Sequence, residues 1–174
     1  MTTGSDHETI AVRVGERLRA ADHTLATAES CTGGLLASRV TDVPGASDYF
    51  DRGVVTYAYD AKRELLGVTR EALDEHGAVS ESVARQMARR VRDRSDTTWG
   101  LSVTGVAGPS GGTPAKPVGT VFVGVAYAAE WGTGESYAAV ERHEFDGDRA
   151  AVKGAAATAA LDLFDRHVSE ATDA

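Results

Sequence analysis

The amino-acid sequence predicts an α/β protein with three layers, α/β/α, around a mixed, mostly parallel sheet of about five strands. Strand-like and helix-like segments alternate through the first two thirds of the 174 residues, which is typical of parallel sheets flanked by helices. Two strand-like runs then follow each other, separated by turn-forming residues 132–134, and predict a hairpin that adds one antiparallel strand. We expect residues 1–174 to form a single domain, with the polar residues 1–7 flexible.

The elements of the N-terminal part follow from hydrophobic periodicity. Apolar residues at every fourth position predict a helix over residues 8–21, and a short apolar run predicts a buried strand over residues 25–28. Helical spacing returns over residues 35–41, and β-branched residues predict a second strand over residues 49–57. A proline and a glycine between these elements predict a loop over residues 42–47.

The central part is predicted to be mainly helical. Two short helices are expected over residues 60–66 and from residue 69 or 70 to residue 76. Ser80 is a favourable N-cap for a longer helix, whose arginines, including Arg85 and Arg92, we interpret as a solvated face.

The C-terminal part is predicted to contain three strands and a helix. The first strand covers residues 98–104 and leads into a glycine-rich loop over residues 105–118. The other two strands cover residues 119–128 and 137–145, and an alanine-rich pattern predicts the closing helix over residues 148–167.

Composition limits the classes of partner. The net charge is -8, from 26 acidic and 18 basic residues, so the basic face that nucleic acids require is not expected. An acidic composition richer in arginine than in lysine is typical of halophilic proteins, whose self-repulsion is screened by salt. The single cysteine permits no internal disulfide, and no apolar run is long enough for a membrane span or a signal peptide. We therefore expect a cytoplasmic protein with no membrane partner.

Three polar segments follow predicted strands, and open α/β sheets bind ligands at the carboxyl ends of their strands. These segments are residues 29–34, 57–62 and 104–119. The first joins a strand to a helix through a tight turn, so we expect Ser30 and Cys31 to lie beside unpaired helix N–H groups that stabilise anions. The simpler interpretation is that Ser30 or Thr32 only caps this helix.

The other two segments leave similar alternatives. Lys62 could be a general base if burial or a nearby cation depressed its pKa, or it could lie on a solvated helix face and pair with an acid. The glycine-rich loop has neither the spacing of a P-loop nor the helix of a dinucleotide-binding motif, but its backbone N–H groups could bind a phosphate or an oxyanion.

Histidine positions bear on the remaining catalytic classes. The histidines are scattered and lie outside the three polar segments, so no metal site is predicted. A Ser-His-Asp triad stays open because its members need only meet in space. A Ser-Lys pair is favoured, since no histidine occupies a predicted strand end.

Several strings along the chain resemble the motifs of one family. The most informative is Ala28-Glu29-Ser30-Cys31-Thr32-Gly33-Gly34. The others are residues 43–47, 53–57, 61–62, 66–68, 77–80, 103–109 and 116–121. Together they resemble the CinA C-terminal domain family, which comprises the stand-alone nicotinamide-nucleotide amidohydrolases (PncC) and the matching domain of the competence/damage-inducible protein CinA. The resemblance extends over about residues 8–164.

This resemblance implies hydrolysis of the carboxamide of nicotinamide mononucleotide to nicotinate mononucleotide and ammonia, without a metal or other cofactor. It implies that Ser30 is the nucleophile, that Lys62 is its base and that Tyr57 assists proton transfer. Substrate contacts are expected from Glu29, Thr32, Gly33, Gly34, Thr104, Gly105, Gly108 and Arg149, with Arg149 near the phosphate. The expected partners are the nucleotide and a second copy of the chain in a homodimer.

The chain also departs from the family pattern. Tyr59 stands near a position where the family usually has asparagine, and Asp60 follows it, so local substrate contacts are left open. The molybdopterin-binding-like domain of longer members is not expected in this sequence. A non-catalytic nucleotide- or partner-binding domain is therefore the alternative function, and the Cys31 thiolate is the alternative nucleophile.

Overall fold

The computed structural model describes residues 6–172, and its helices and strands follow the predicted order. They are α1 (Asp6–Ala21), β1 (Leu25–Glu29), α2 (Leu35–Thr41), β2 (Phe50–Val55), α3 (Tyr59–Ala61), α4 (Arg70–His76), α5 (Glu81–Ser95), β3 (Trp99–Gly105), β4 (Thr120–Tyr127), β5 (Tyr137–Glu144) and α6 (Arg149–Thr172). A 3₁₀ turn over Ala46–Asp48 precedes β2, and a π-helical turn over Lys62–Leu66 continues α3.

The strands form one mixed sheet in the order β2-β1-β3-β4-β5. β1 pairs in parallel with both β2 and β3, whereas β4 is antiparallel to both β3 and β5. Within residues 6–172, β4 is the one strand that runs against the others, which confirms the predicted mixed, mostly parallel sheet. The ladder between β1 and β2 shifts register between Leu25 and Ala26, after which Glu29 lies opposite Val55.

Helices cover both faces of the sheet and confirm the three-layer architecture. On one face, apolar residues of α1, α2 and α6 pack against the sheet, which contributes Leu25 and Trp99. On the other face, Ala26 and Ala28 contact the apolar side of α4, α5 and the π-helical turn. Successive residues of β1 therefore face opposite layers, as a pleated strand requires.

Helix α5 lies close to the sheet because the strand residues beneath it are small. A Cβ added to Gly100 would lie 2.1 Å from the backbone oxygen of Ala88, and one added to Gly124 would lie 2.9 Å from that of Ala84. Ser102, which pairs with Gly124, donates a hydrogen bond from its hydroxyl to the Ala84 carbonyl at 2.7 Å. This contact leaves no room for a side chain at either glycine.

Two helices are longer than the sequence predicts. Helix α1 begins at Asp6, two residues before the predicted start, and residues 1–5 of the segment predicted to be flexible lie outside the described residues. Helix α6 continues past residue 167 because Val168 and Ala171 add a further apolar turn to the core.

The arginines of α5 correct a second prediction. Arg92 donates a hydrogen bond from Nη1 to the Tyr127 carbonyl at 2.6 Å, and Arg85 donates one to the Ala138 carbonyl. A solvated face is therefore the wrong interpretation of these two residues. Their long stems extend across the helix surface and bring the guanidinium groups to backbone oxygens of the sheet.

Candidate active site

Ser30 immediately follows β1, at the edge of the sheet where the carboxyl ends of β1, β2 and β3 meet. Its N–H donates to the Val103 carbonyl of β3 at 2.9 Å. The carbonyl of Glu29 accepts from the Thr56 N–H at 2.8 Å, which aligns the segment after β2 with the same edge. The backbone around Ser30 is therefore held by both neighbouring strands.

Glu29, the last residue of β1, is fully buried and anchors α2. Its two carboxylate oxygens accept hydrogen bonds from the N–H groups of Leu36 at 2.8 Å and Ala37 at 3.0 Å. The helix dipole stabilises a carboxylate in this position. The prediction that these helix N–H groups are unpaired is therefore wrong. Both oxygens accept hydrogen bonds inside the protein, so Glu29 positions the turn, and its expected substrate contact stays a prediction.

Lys62 lies against Ser30 in the interior. Its Nζ forms a hydrogen bond with Ser30 Oγ at 2.9 Å and donates to the carbonyls of Thr56 at 2.7 Å and Tyr57 at 3.1 Å. The side chain is 0% exposed, and all three hydrogen-bond partners are uncharged. A solvated lysine paired with an acid, the alternative left open by the sequence, is therefore excluded.

Burial lowers the pKa of Lys62 to about 8, because the ammonium group loses its hydration and gains no anionic hydrogen-bond partner. A neutral amine has two N–H bonds and one lone pair. When the carbonyls of Thr56 and Tyr57 accept the two N–H bonds, the lone pair faces the hydroxyl of Ser30. The geometry therefore allows Lys62 to remove the Ser30 proton as a general base.

Cys31 adjoins Ser30, but its thiol is buried. Burial is the largest cause of the raised pKa of Cys31, about 11, and the ammonium groups of Lys62 and Lys153 act on this pKa in the opposite direction. The thiolate is the nucleophilic form of cysteine and is scarce near neutral pH at such a pKa. The site therefore favours the Ser30 hydroxyl as the nucleophile.

The structure brings together three predicted site residues from distant parts of the chain. Arg149, the first residue of α6, donates from Nη1 to the Gly108 carbonyl at 2.6 Å and from Nη2 to the Tyr57 hydroxyl at 3.0 Å. Tyr57 is 60% exposed, so this contact lies at the surface. Arg149, Tyr57 and Gly108 thus form a polar rim.

Thr104 and Gly105 end β3 and support neighbouring segments. Thr104 is fully buried and donates from Oγ1 to the Ala78 carbonyl at 2.8 Å. A Cβ on Gly105 would lie 2.8 Å from the backbone oxygen of Thr120, so only glycine fits this close approach of β3 and β4. Both residues therefore have packing and positioning roles, and the substrate contacts expected of them stay predictions.

Residues 32–34 form the turn between Ser30 and α2. Gly33 has φ 59° and Gly34 has φ 102°, and both values lie in the left-handed region that favours glycine. Thr32 Oγ1 is buried without a hydrogen-bond partner among the described residues. The N–H groups of Thr32 and Gly34 donate to no backbone carbonyl of residues 6–172. The turn therefore retains donors for a bound ligand.

Metal-binding clusters and membrane-spanning helices are both absent from the described residues. Residues 6–172 contain no group of three or more histidine, cysteine, aspartate or glutamate side chains arranged to hold a metal ion. No helix in the described chain has the length and apolar character needed to cross a membrane.

Comparison with known proteins adds evidence independent of this geometry. The profile described as the CinA C-terminal domain matches residues 7–168. The chain belongs to the CinA C-terminal domain family. A CinA-like protein of Salinibacter ruber is 50% identical over 166 residues, which are 95% of this chain and 39% of that protein. A putative competence-damage inducible protein of Symbiobacterium thermophilum is 50% identical over 167 residues, with the same two coverages. The chain thus spans about two fifths of the length of these relatives.

Solved structures of CinA-type proteins have the same fold. The competence/damage inducible protein CihA of Agrobacterium tumefaciens is 37% identical, with a TM-score of 0.85 over 97% of this chain and 99% of that chain. A CinA superfamily protein of Klebsiella pneumoniae is 31% identical, with a TM-score of 0.87 over 95% of this chain and 99% of that chain. Both confirm the predicted fold class.

Tyr59 shows how this CinA domain accommodates its departure from the family pattern. The Tyr59 hydroxyl accepts a hydrogen bond from the Ala78 N–H at 3.2 Å. Nearby, Lys116 donates from Nζ to the His76 carbonyl at 2.6 Å. Asp60 forms an exposed ion pair with Arg63 at 3.5 Å. Tyr59 therefore contributes to holding residues 76–80, a segment that includes the family motif over residues 77–80 and that contacts Thr104 through the Ala78 carbonyl.

Lys153 lies beside the turn that follows Ser30, and the sequence did not single it out. It lies one helical turn after Arg149, and its Nζ is 3.8 Å from the position that a Cβ on Gly33 would occupy. The spacing of four residues from Arg149 was the available signal. Which side of α6 meets the Ser30 turn depends on tertiary packing, so this spacing alone could not identify Lys153.

Proposed function

We propose that this CinA-family domain hydrolyses the carboxamide of nicotinamide mononucleotide, with Ser30 as nucleophile and Lys62 as its base. The observation that carries the proposal is the 2.9 Å hydrogen bond between two buried groups, Lys62 Nζ and Ser30 Oγ. The choice of substrate rests on the family resemblance, and the choice of chemistry rests on the site.

In the first half-reaction, neutral Lys62 accepts the proton of Ser30 as Oγ attacks the carbonyl carbon of the carboxamide. The carbonyl electron pair moves to oxygen, and the unpartnered N–H groups of Thr32 and Gly34 are candidate donors to this oxyanion. As the tetrahedral intermediate collapses, the C–N bond breaks and the Lys62 ammonium gives its proton to the departing nitrogen. Ammonia leaves, and the acyl group remains as an ester on Ser30.

In the second half-reaction, water attacks the ester carbon and Lys62 accepts a proton from that water. The bond to Ser30 Oγ then breaks, Oγ recovers a proton from Lys62, and the nicotinate product departs. One water is consumed for each ammonia released. A pKa of about 8 suits Lys62 for both directions of proton transfer near neutral pH.

The polar rim supplies the remaining roles in this proposal. Arg149 would hold the substrate phosphate, because a guanidinium forms paired charge-assisted hydrogen bonds with phosphate oxygens. Tyr57, whose hydroxyl already accepts a hydrogen bond from Arg149, would assist proton transfer. The left-handed turn at Gly33 and Gly34 would let the substrate approach the backbone closely.

Ammonia release from nicotinamide mononucleotide, measured with EDTA present, tests the chemistry. The wild-type protein is expected to turn over, and Ser30→Ala and Lys62→Met are each expected to lose at least about 10³-fold in rate. Cys31→Ala is the matched control beside the nucleophile and is expected to retain most of the turnover. Loss of turnover in Cys31→Ala with retention in Ser30→Ala would move the nucleophile to Cys31.

The same protein preparation also tests the alternative function, a non-catalytic binding domain. A folded wild-type protein that binds the nucleotide and releases no ammonia would indicate a non-catalytic nucleotide-binding domain. The resemblance also supports a homodimer, and light scattering at several protein concentrations would measure the mass in solution. A monomer mass at every concentration would contradict the dimer.

A further inference from the structure

The exposed segment over residues 57–60 orients the base of the proposed reaction. The Tyr57 carbonyl accepts a hydrogen bond from Lys62 Nζ at 3.1 Å, and the N–H of Lys62 donates to the Ala58 carbonyl at 3.2 Å. Lys62 is fully buried, whereas all the residues of this segment are exposed. The position of the Lys62 amine therefore depends on a segment that has little packing of its own.

The start of α3 also lacks a side-chain cap. Ala58 occupies the N-cap position, and its methyl group cannot accept hydrogen bonds from the helix N–H groups. Within the described chain, side chains of residues 57–60 reach other elements through two hydrogen bonds. The Tyr57 hydroxyl accepts from Arg149 at 3.0 Å, and the Tyr59 hydroxyl accepts from the Ala78 N–H at 3.2 Å. Because the proposed function gives Arg149 to the substrate, Tyr59 supplies the attachment with which no ligand competes.

The backbone around Ala78, which receives Tyr59, is itself firmly held. The carbonyls of residues 76, 77 and 78 accept side-chain hydrogen bonds of 2.6, 2.9 and 2.8 Å from Lys116, Ser80 and Thr104, respectively. Thr104 is fully buried at the end of β3, the strand whose Val103 carbonyl accepts a hydrogen bond from the Ser30 N–H. The peptide groups on either side of Ala78 therefore connect Tyr59 to the strand that holds the nucleophile.

We infer that Tyr59 is a positioning residue for the proposed reaction, because its hydroxyl ties the segment that orients Lys62 to the strand that holds Ser30. It acts through Lys62 and contacts neither reacting group. The reaction itself rests on the proposed function. The added claim is a role for a tyrosine at which this chain departs from the family pattern.

Steady-state ammonia release from nicotinamide mononucleotide tests the inference in Tyr59→Phe, which removes one oxygen atom and keeps the ring. The kcat is expected to fall about three- to tenfold, as for the loss of one hydrogen bond. The KM is expected to stay within about twofold, because Tyr59 acts on the base and not on the ligand.

Tyr137→Phe is the matched control for the loss of a tyrosine hydroxyl. The Tyr137 hydroxyl forms one hydrogen bond, at 3.0 Å with His167 Nδ1, and lies at the end of the sheet away from Ser30. This variant is expected to keep the wild-type kcat and KM.

An NMR titration of isotope-labelled lysine side chains observes the base without turnover. The chain has three lysines, and the Lys62 signal is assigned by its absence from Lys62→Met. In Tyr59→Phe, loosening of residues 57–60 lets water reach the ammonium group, so the pKa of Lys62 is expected to rise from about 8 by at least about 0.5. A merely structural role for Tyr59 would lower the yield of folded protein and leave this titration unchanged.

Three results would overturn the inference. They are a wild-type kcat in Tyr59→Phe, an equal fall of kcat in Tyr137→Phe, and a fall of kcat in Tyr59→Phe with an unchanged Lys62 titration. Failure of the proposed function has a different signature, because wild-type protein would then release no ammonia. The titration would still decide whether Tyr59 controls the surroundings of Lys62, and an unchanged titration would again overturn the inference.

Discussion

Lys62 is buried against three uncharged oxygen atoms, an environment in which the amine competes with the ammonium ion. Burial disfavours the charged form, while the carbonyls of Thr56 and Tyr57 still stabilise it by hydrogen bonding. The balance lowers the pKa of Lys62 to about 8, so both protonation states are populated near neutral pH.

Activity is therefore expected to depend on this titration. The kcat/KM for ammonia release should rise with pH as Lys62 loses its proton and should level off above its pKa of about 8. The measurement is a pH-rate profile between about pH 6 and about pH 9.5 in wild-type protein and Cys31→Ala. A flat profile over this range would contradict Lys62 as the base. If the wild-type profile had an inflection and the Cys31→Ala profile had none, the titrating group would be the Cys31 thiol.

The same pKa has a consequence for stability. Because the folded pKa of Lys62 lies below its unfolded value of 10.5, the unfolded state binds the extra proton between about pH 8 and 10.5. The unfolding free energy of wild-type protein should thus rise relative to Lys62→Met across this interval, by at most about 3 kcal/mol. Parallel denaturation curves of the two proteins at both ends of the interval measure the change. A constant difference between them would show that Lys62 keeps an ordinary pKa in the folded state.

At the residue scale, the sequence identified the polar segments and left their contacts open. Ser30 and Lys62 lie in two segments that follow neighbouring strands, so their proximity was a reasonable expectation. Whether Lys62 pointed inward or outward depended on the π-helical turn that it begins, which no local pattern indicates. The substrate contact of Glu29 was expected from the family resemblance, whereas the direction of its carboxylate, toward the N–H groups of Leu36 and Ala37, is decided by tertiary structure.

At the scale of elements, the contact between α5 and the sheet is the most sensitive to side-chain size. Gly100→Ala is expected to lower the unfolding free energy by at least about 2 kcal/mol, because the new Cβ would meet the Ala88 backbone oxygen and the helix must move. Chemical denaturation of both proteins would measure this loss, with the dependence of the unfolding free energy on denaturant concentration held equal for the two.

Gly154→Ala is the matched control within α6. A Cβ there would meet Arg39 Nη2 at 3.6 Å, an ordinary contact, so better helix propensity should stabilise the protein by about 0.5 to 1 kcal/mol. If the two substitutions changed stability equally, the close packing of α5 would not be the cause of the loss at Gly100.

Element types and caps were predictable because they depend on neighbouring residues. Ser80 caps α5 as expected and accepts a hydrogen bond from the Val83 N–H at 3.3 Å, and Thr69 caps α4 in the same way, from the Ala72 N–H at 3.2 Å. The end of α6 was less predictable, since its last turn is stabilised by packing of Val168 on the core. The roles of Arg85 and Arg92 likewise required knowledge of which carbonyls lie beside α5.

At the scale of the whole molecule, the net charge of -8 lowers the unfolding free energy, because like charges repel one another in the folded protein. Raising KCl from about 0.1 M to about 2 M should increase the unfolding free energy, because screening shortens the range of this repulsion. A variant with Glu130→Lys and Glu135→Lys is less acidic and should gain less from salt. Equal stability of the wild-type protein at both salt concentrations would contradict the expected halophilic character.

The layer architecture followed from alternation of strands and helices, but the order of strands did not. Placing β1 between β2 and β3 requires crossover connections whose direction depends on the whole chain. That order puts the ends of three parallel strands beside Ser30. The site is therefore a product of topology as well as of the residues in each segment.

The register of β2 against β1 also determines the distance between Lys62 Nζ and Ser30 Oγ. Lys62 follows β2, an edge strand with one paired side, whereas Ser30 follows β1, an interior strand paired on both sides. A slip of one residue would displace the end of β2 by about 3.3 Å and separate Nζ from Oγ. Turnover per folded molecule would then report the fraction of chains in correct register, a quantity that circular dichroism cannot resolve.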